Sequence, residues 1–297
     1  MSSLKRPCRQ WIKACTLAAL FVLASCSAGS PGSTSRRLGA SSGQPAPTSS
    51  TAPPAVAATP VPTTVTTGPA TTADRPASVA LAGRIVAIDP GHNGGNAAAP
   101  GVINQIIWNG RENEICDTTG TETDSGYTEA QFTFNVASYL AADLNAEGAT
   151  VVLTRASNTG VGPCVTDRAA IGNRAHANAA ISIHGDGGPA SGRGFAVLEP
   201  VSDGINAAIV APSKQLGLDI RDAFLAGTGE PVSSYDGVNG IQPRDDLAGL
   251  NLSTVPKVLV ECVNMRNPTD AALLTTARFQ QGAARALAAG LTAFLAR

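Results

Sequence analysis

The sequence predicts an α/β fold: a single three-layer sandwich domain whose mainly parallel, twisted sheet is flanked by helices. Three observations carry that expectation. Short, nearly continuous apolar runs bounded by turn residues recur along the chain, and such runs suit strands covered on both faces. Helical patterns fall between the runs, so strand and helix alternate. Large apolar side chains are almost missing from residue 27 to about 80, which confines the folded domain to 83–297.

In order, the first strand reads Arg84-Ile85-Val86-Ala87-Ile88. A helix follows with Thr128 as N-cap, an apolar stripe of Phe132, Val136, Leu140 and Leu144, and Gly148 as its stop. Thr150-Val151-Val152-Leu153-Thr154 is the next strand. Thr166 is expected to cap a second helix running to about Ala177, with His176 inside it as a structural residue. Ala180-Ile181-Ser182-Ile183 and Gly194 to Leu198 read as two more strands. Residues 203–226 predict a helix that Pro212 breaks into two pieces, because proline removes a donor and crowds the preceding turn. The Gly-rich, polar segment from Gly227 to Gly240 is expected to be a mobile loop beside the cleft. Val258-Leu259-Val260 forms the last strand, and Asn267-Pro268 pairs an N-cap with proline at N1 to open a helical region ending near Leu295.

The N-terminal third has a different composition. Lys5, Arg6, Arg9 and Lys13 precede an apolar run from Ala14 to Ala24, too short to span a bilayer, which needs ~20 residues. The run ends in Leu23-Ala24-Ser25-Cys26, which resembles a lipobox. Residues 1–26 are therefore expected to be a lipoprotein signal peptide, with Cys26 lipidated as the mature N-terminus. An ordinary signal peptide cleaved nearby is the alternative. Several acyl chains on one cysteine would give the multiple anchors that stable membrane attachment requires. Residues 27–82 are dominated by Ser, Thr, Pro, Ala and Gly and read as a disordered linker. Extended, it would reach on the order of 180 Å; as a relaxed coil, roughly 40 Å. The expected location is outside the cytoplasm, at the outer face of the membrane, in the periplasm or in the cell wall.

The 83–297 region holds 14 of the 21 Lys and Arg residues but 21 of the 22 Asp and Glu residues. That acidic balance excludes a nucleic-acid footprint. Nothing in the pattern asks for an oligomer, so a monomer is expected. In an exported, disulfide-permissive domain, Cys116 and Cys164, both in Thr/Gly/Pro-rich stretches, are expected to pair. Cys262, inside an apolar strand pattern, is expected to be a buried free thiol.

Ligands of open α/β sheets bind beyond the carboxyl ends of strands, and four polar residues converge there. His92 follows the Pro90-Gly91 turn after the first strand, and His184 ends another strand. Glu129 lies in the first turn of a helix, where the dipole favours a carboxylate, and Glu261 closes an apolar run. Two imidazoles and one carboxylate around an open position form the ligand set of a catalytic zinc site, and a further carboxylate would serve as general base and acid. Each residue alone has a plainer reading: a turn histidine, a helix-start charge, or an ion pair of Glu261 with an arginine such as Arg244.

Order and flanking residues narrow these choices. Ile88-Asp89-Pro90-Gly91-His92, a helix-start Glu129, Ser182-Ile183-His184 and Pro256-Lys257-Val258-Leu259-Val260-Glu261 together resemble the zinc-dependent N-acetylmuramoyl-L-alanine amidases of the Amidase_3 group. The likeness continues through Leu153-Thr154-Arg155, residues 168–173 and residues 246–251, so it covers essentially all of 83–297. The resemblance implies that His92, Glu129 and His184 bind Zn²⁺ and that Glu261 is catalytic. It also implies a peptidoglycan or muropeptide substrate, cut between N-acetylmuramic acid and L-alanine. The sequence departs from the group's pattern at Asn93, which intervenes before Gly94-Gly95, at Asp186, where an asparagine is common, and at Ala130-Gln131, where a lysine often follows the ligand. Two rival functions stay open at this point: a zinc peptidase cutting within the stem peptide, and a non-catalytic peptidoglycan-binding or regulatory envelope protein.

Overall fold

The computed structural model describes residues 79–297; the expected signal peptide, Cys26 and nearly all of the 27–82 linker lie outside them. Along the described chain run β1 (Ile85–Pro90), a short α1 (Pro100–Ile103), β2 (Ile106–Trp108), β3 (Asn113–Ile115), α2 (Glu129–Ala146) and β4 (Thr150–Leu153). Then come α3 (Val165–Arg174), β5 (Ala179–Asp186), β6 (Ala196–Pro200), α4 (Ala207–Thr228), β7 (Ile241–Arg244) and α5 (Ala248–Asn251). The chain closes with β8 (Lys257–Asn264), α6 (Pro268–Leu274) and α7 (Ala277–Leu295).

Six strands form one sheet in the order β4-β1-β5-β8-β6-β7, and β2 and β3 make a separate hairpin. β4, β1, β5 and β8 run parallel to one another, whereas β6 is antiparallel to β8 and parallel to β7. The sheet is therefore mainly parallel, as predicted. The chain leaves β1 toward β4 on one side and reaches β5 on the other. β1 is thus a topological switch point, where a crevice opens beyond the strand ends.

Alternation along each strand separates two faces. One packs Val86, Ile88, Ile181, Ile183, Val258 and Val260 against Phe132, Val136, Leu140 and Leu144 of α2, and against apolar residues of α4 and α7. The four α2 residues are wholly buried, and each such side chain contributes ~1.5–3 kcal/mol of burial free energy. The other face is thinner. Ala87 and Ala180 meet Ala177 and Val255, while Ala196 and Leu198 meet Leu250. Among these smaller residues sits a buried ionic network. Asp89 takes hydrogen bonds from Thr154 and Ser182 at 2.7 Å each and faces Arg168 at 3.1 Å and Lys257 at 3.4 Å. Burial alone would raise the Asp89 carboxyl, but Lys257 and then Arg168 hold it well below the usual range.

The caps at Thr128 and Asn267 form as expected: Thr128 accepts from Gln131 N, and Asn267 accepts from Thr269 N and Asp270 N. Other expectations need correction. α3 starts at Val165 with Cys164 as N-cap, so Thr166 lies inside the first turn. His176 is exposed beyond that helix, in a left-handed conformation with φ of 48°. Pro212 does not divide α4. The proline sits in the second turn, and the Ala208 carbonyl it leaves without a helical donor belongs to an exposed residue that water can reach. The C-terminal helical region ends at Leu295 as expected, and it comprises two helices because Thr276 caps α7 afresh by accepting from Phe279 N. Leu81, placed in the linker by composition, belongs to the main core, and its N–H bonds Glu147 O at 2.9 Å. The segment after α4 is tied to the sheet edge, with Phe195 N bonded to Pro231 O and Ser233 N to Phe195 O. Cys116 and Cys164 are joined in a disulfide, and Cys262 is buried and free.

Candidate functional site

Three adjacent strands bring the polar residues together. β1, β5 and β8 are neighbours, so His92 just past β1, His184 on β5 and Glu261 on β8 stand side by side at the carboxyl edge. His184 and Glu261 are register partners across β5 and β8. The register shifts between His184 and Asp186, an irregularity of the kind that re-aims side chains at functional edges. α2 begins at the same edge and supplies Glu129 as its first residue.

The turn between β1 and His92 is sterically determined. A Cβ on Gly91 would stand 2.5 Å from Nε2 and 2.6 Å from Nδ1 of His184, so only glycine lets this turn approach the His184 ring on β5. His92 takes a left-handed backbone, φ 57°, unusual for a side-chain-bearing residue. The imidazoles meet edge-on, with centroids 4.9 Å apart. Glu129 Oε1 lies 2.8 Å from His184 Nδ1 and 3.2 Å from His92 Nε2. Its carboxylate also accepts from Thr121 N at 2.9 Å and Gly185 N at 3.2 Å, which fixes the buried group. One potential ligand atom from each of His92, Glu129 and His184 lies within 4.8 Å of the other two.

These residues, with Asp186, Arg244 and Glu261, line a cleft of about 410 Å³. Burial works against charge on His92, yet Glu129 and then Asp117 raise its imidazolium to about 10. Burial likewise opposes the Glu129 carboxylate, but His92 and His184 hold it well below the ordinary range. Glu261 behaves oppositely: burial, then the negative charges of Glu129 and Asp186, push its carboxyl well above that range. Its Oε2 is buried without a hydrogen-bond partner. Arg244 does not pair with Glu261; it grips Asp246 through two contacts of 2.7 Å.

All four residues singled out from the sequence thus converge. Two others were missed. Asp117 lies 3.3 Å from His92 Nδ1, and Tyr235 donates to Asp186 Oδ2 at 2.6 Å with its ring against Gly188 and Gly192. Asp117 directly follows Cys116, which is the one sequence signal that points to it. Tyr235 carried none. The Asn93 that departs from the group's pattern is buried and donates to the carbonyls of Thr159 and Gly160, so it anchors a neighbouring loop.

The donor set suits a zinc ion: two imidazoles and one carboxylate are close enough to share it, and an unpartnered carboxylate oxygen stands beside them. The family model for N-acetylmuramoyl-L-alanine amidases, Amidase_3, matches residues 86–293. The chain belongs to this family. An N-acetylmuramoyl-L-alanine amidase of Mycobacterium tuberculosis is 44% identical over 221 residues, spanning 74% of this chain and 89% of that protein. The N-acetylmuramyl-L-alanine amidase of Mycobacterium smegmatis superposes with a TM-score of 0.69 at 44% identity, covering 72% of this chain and 98% of that one. The amidase of Mycobacterium abscessus gives 0.67 at 39% identity, covering 72% and 100%. Since the match to this Amidase_3 member begins at residue 86, the four convergent residues all fall within the family region.

Proposed function

We propose that this Amidase_3 member is a zinc-dependent hydrolase of peptidoglycan, cutting the amide between the lactyl group of N-acetylmuramic acid and L-alanine. The observation that carries this reading is the convergence of His92, Glu129 and His184 within 4.8 Å, in a family whose members hydrolyse that bond. His92, Glu129 and His184 would hold the ion. When bound, it supplies Lewis acidity, drawing charge from the scissile carbonyl, acidifying water and offsetting the anionic charge around Glu261.

The remaining steps belong to protein groups. Glu261 removes a proton from the water that attacks the carbonyl carbon. It then gives that proton to the alanine nitrogen as the C–N bond breaks, leaving a lactyl carboxylate and a free stem peptide. Burial and nearby acids raise its proton affinity, which suits the donor half of that role. Gly91 and the strand register keep His184 against Glu129, so the site is assembled before substrate arrives. The apolar walls around Leu198, Leu250 and Leu259 limit water on the same face.

The segment 1–26 supports export of the chain, and Cys26 supports lipid anchoring, with 27–82 as the tether between membrane and wall. No described helix is long and apolar enough to cross a membrane.

The test is mass spectrometry of a defined muropeptide after incubation with the metal-loaded protein. Release of intact stem peptide, abolished by a chelator and restored by zinc, is expected. Cleavage inside the peptide would replace this reading with a zinc peptidase, and an intact substrate with zinc bound would reject hydrolysis.

A further inference from the structure

We infer that Asp117 is a positioning residue for His92, holding the ring with Nδ1 protonated and Nε2 free to face a metal. The inference rests on reading His92, Glu129 and His184 as a zinc site.

Three oxygens surround His92 Nδ1: Thr118 Oγ1 at 3.1 Å, the Thr118 carbonyl at 3.3 Å and Asp117 Oδ1 at 3.3 Å. The carbonyl and the carboxylate only accept, so Nδ1 is satisfied when it carries the hydrogen. The lone pair of the neutral ring then falls on Nε2, the nitrogen 3.2 Å from Glu129 Oε1. Metal-binding imidazoles commonly donate their other N–H to a carboxylate or carbonyl, which sets the tautomer and raises ligand basicity.

Asp117 is itself held in place. Its Oδ1 accepts from Thr118 N at 2.7 Å, and its Oδ2 faces Arg168 Nη2 at 3.1 Å. Both side chains are buried. Arg168 also donates to the carbonyls of Pro90, His92 and Pro163 at 2.7, 2.9 and 2.9 Å. One guanidinium therefore fixes both the carboxylate and the backbone of the histidine that the carboxylate orients. The Cys116–Cys164 disulfide, with Val165 N bonded to Cys116 O at 2.9 Å, clamps Asp117 beside the first turn of α3, which carries Arg168. A left-handed backbone at a non-glycine residue is strained and persists only where its surroundings determine it. At His92 those surroundings are Arg168 and Asp117.

The test is zinc affinity of the full chain, measured by competition with a chromogenic chelator, for the wild type, Asp117→Asn and Asp117→Ala. Asp117→Ala should bind zinc ~10–100-fold more weakly. Asp117→Asn, which keeps an acceptor oxygen but no charge, should fall between. Long-range ¹H–¹⁵N spectra of the zinc-loaded wild type should place the His92 proton on Nδ1, a signature that loss of fold stability would not mimic. Folded variants that bind zinc as tightly as wild type, or a wild-type His92 protonated at Nε2, would overturn the inference. A wild type that binds no zinc would instead remove the zinc reading beneath it.

Discussion

Gly91→Ala offers a sharp test of how closely the site is built. A Cβ at this position would lie 2.5 Å from His184 Nε2, whereas ordinary contact begins near 3.4 Å. Restoring that contact requires the imidazole or the turn to retreat by about 1 Å. Neither can do so freely: Gly91 N bonds Ile183 O at 2.9 Å, and His184 Nδ1 sits 2.8 Å from Glu129 Oε1. Overpacking of this kind costs ~1–3 kcal/mol of stability. A shift of ~1 Å in a reacting group costs ~10²-fold in rate. The variant should therefore melt a few degrees lower, bind zinc more weakly and lose roughly two orders of magnitude in kcat/KM on a defined muropeptide. Serine at the same position should behave similarly, since it carries the same Cβ. Wild-type activity and affinity in a folded Gly91→Ala protein would refute the claim that the loop is closed to within a methyl group.

Three further outcomes follow from the same geometry. Glu261→Gln should keep zinc yet lose ~10²–10⁴-fold in kcat, read by stem-peptide release; an undiminished rate would take Glu261 out of proton transfer. Asp89→Asn leaves Lys257 buried without its anion and Arg168 with only one of its two carboxylates, and should cost ~3–5 kcal/mol near pH 7 by denaturant unfolding. Because the folded Asp89 carboxyl is depressed, its contribution is present above the unfolded value of about 3.9 and is lost as pH falls below it. The stability gap between wild type and variant should accordingly hold from pH 7 to 5 and narrow below about 4, and a gap that widens in acid would contradict this assignment. Replacing Cys116 and Cys164 together by serine opens a covalent loop with a sequence separation of 48 and should lower stability by ~2–4 kcal/mol, measured by the same unfolding assay.

Much of the architecture was legible in the sequence because its signals are local. The apolar runs ending at His92, His184 and Glu261 became neighbouring strands, and Thr128 started the helix that presents Glu129. The reversal of β6 was not legible, since a fully buried run reads the same in either direction. Pro212 misled because the cost of a proline depends on whether water reaches the carbonyl it frees, a tertiary fact. Asp117 and Tyr235 escaped notice for a related reason. Each lies far along the chain from the residue it contacts, and only the folded hairpin, the disulfide and the post-α4 segment bring them into place. Family-level motifs pick out the candidate ligands His92, Glu129 and His184 but say nothing of what orients them.

Anomalous X-ray scattering from crystals of the zinc-loaded protein, recorded on both sides of the zinc absorption edge, would locate the metal without reference to activity. A single zinc peak is expected within bonding distance of His92, Glu129 and His184, ~2.0–2.2 Å from each nitrogen or oxygen. Zinc located on other residues, or a peak touching only one of the three, would contradict it.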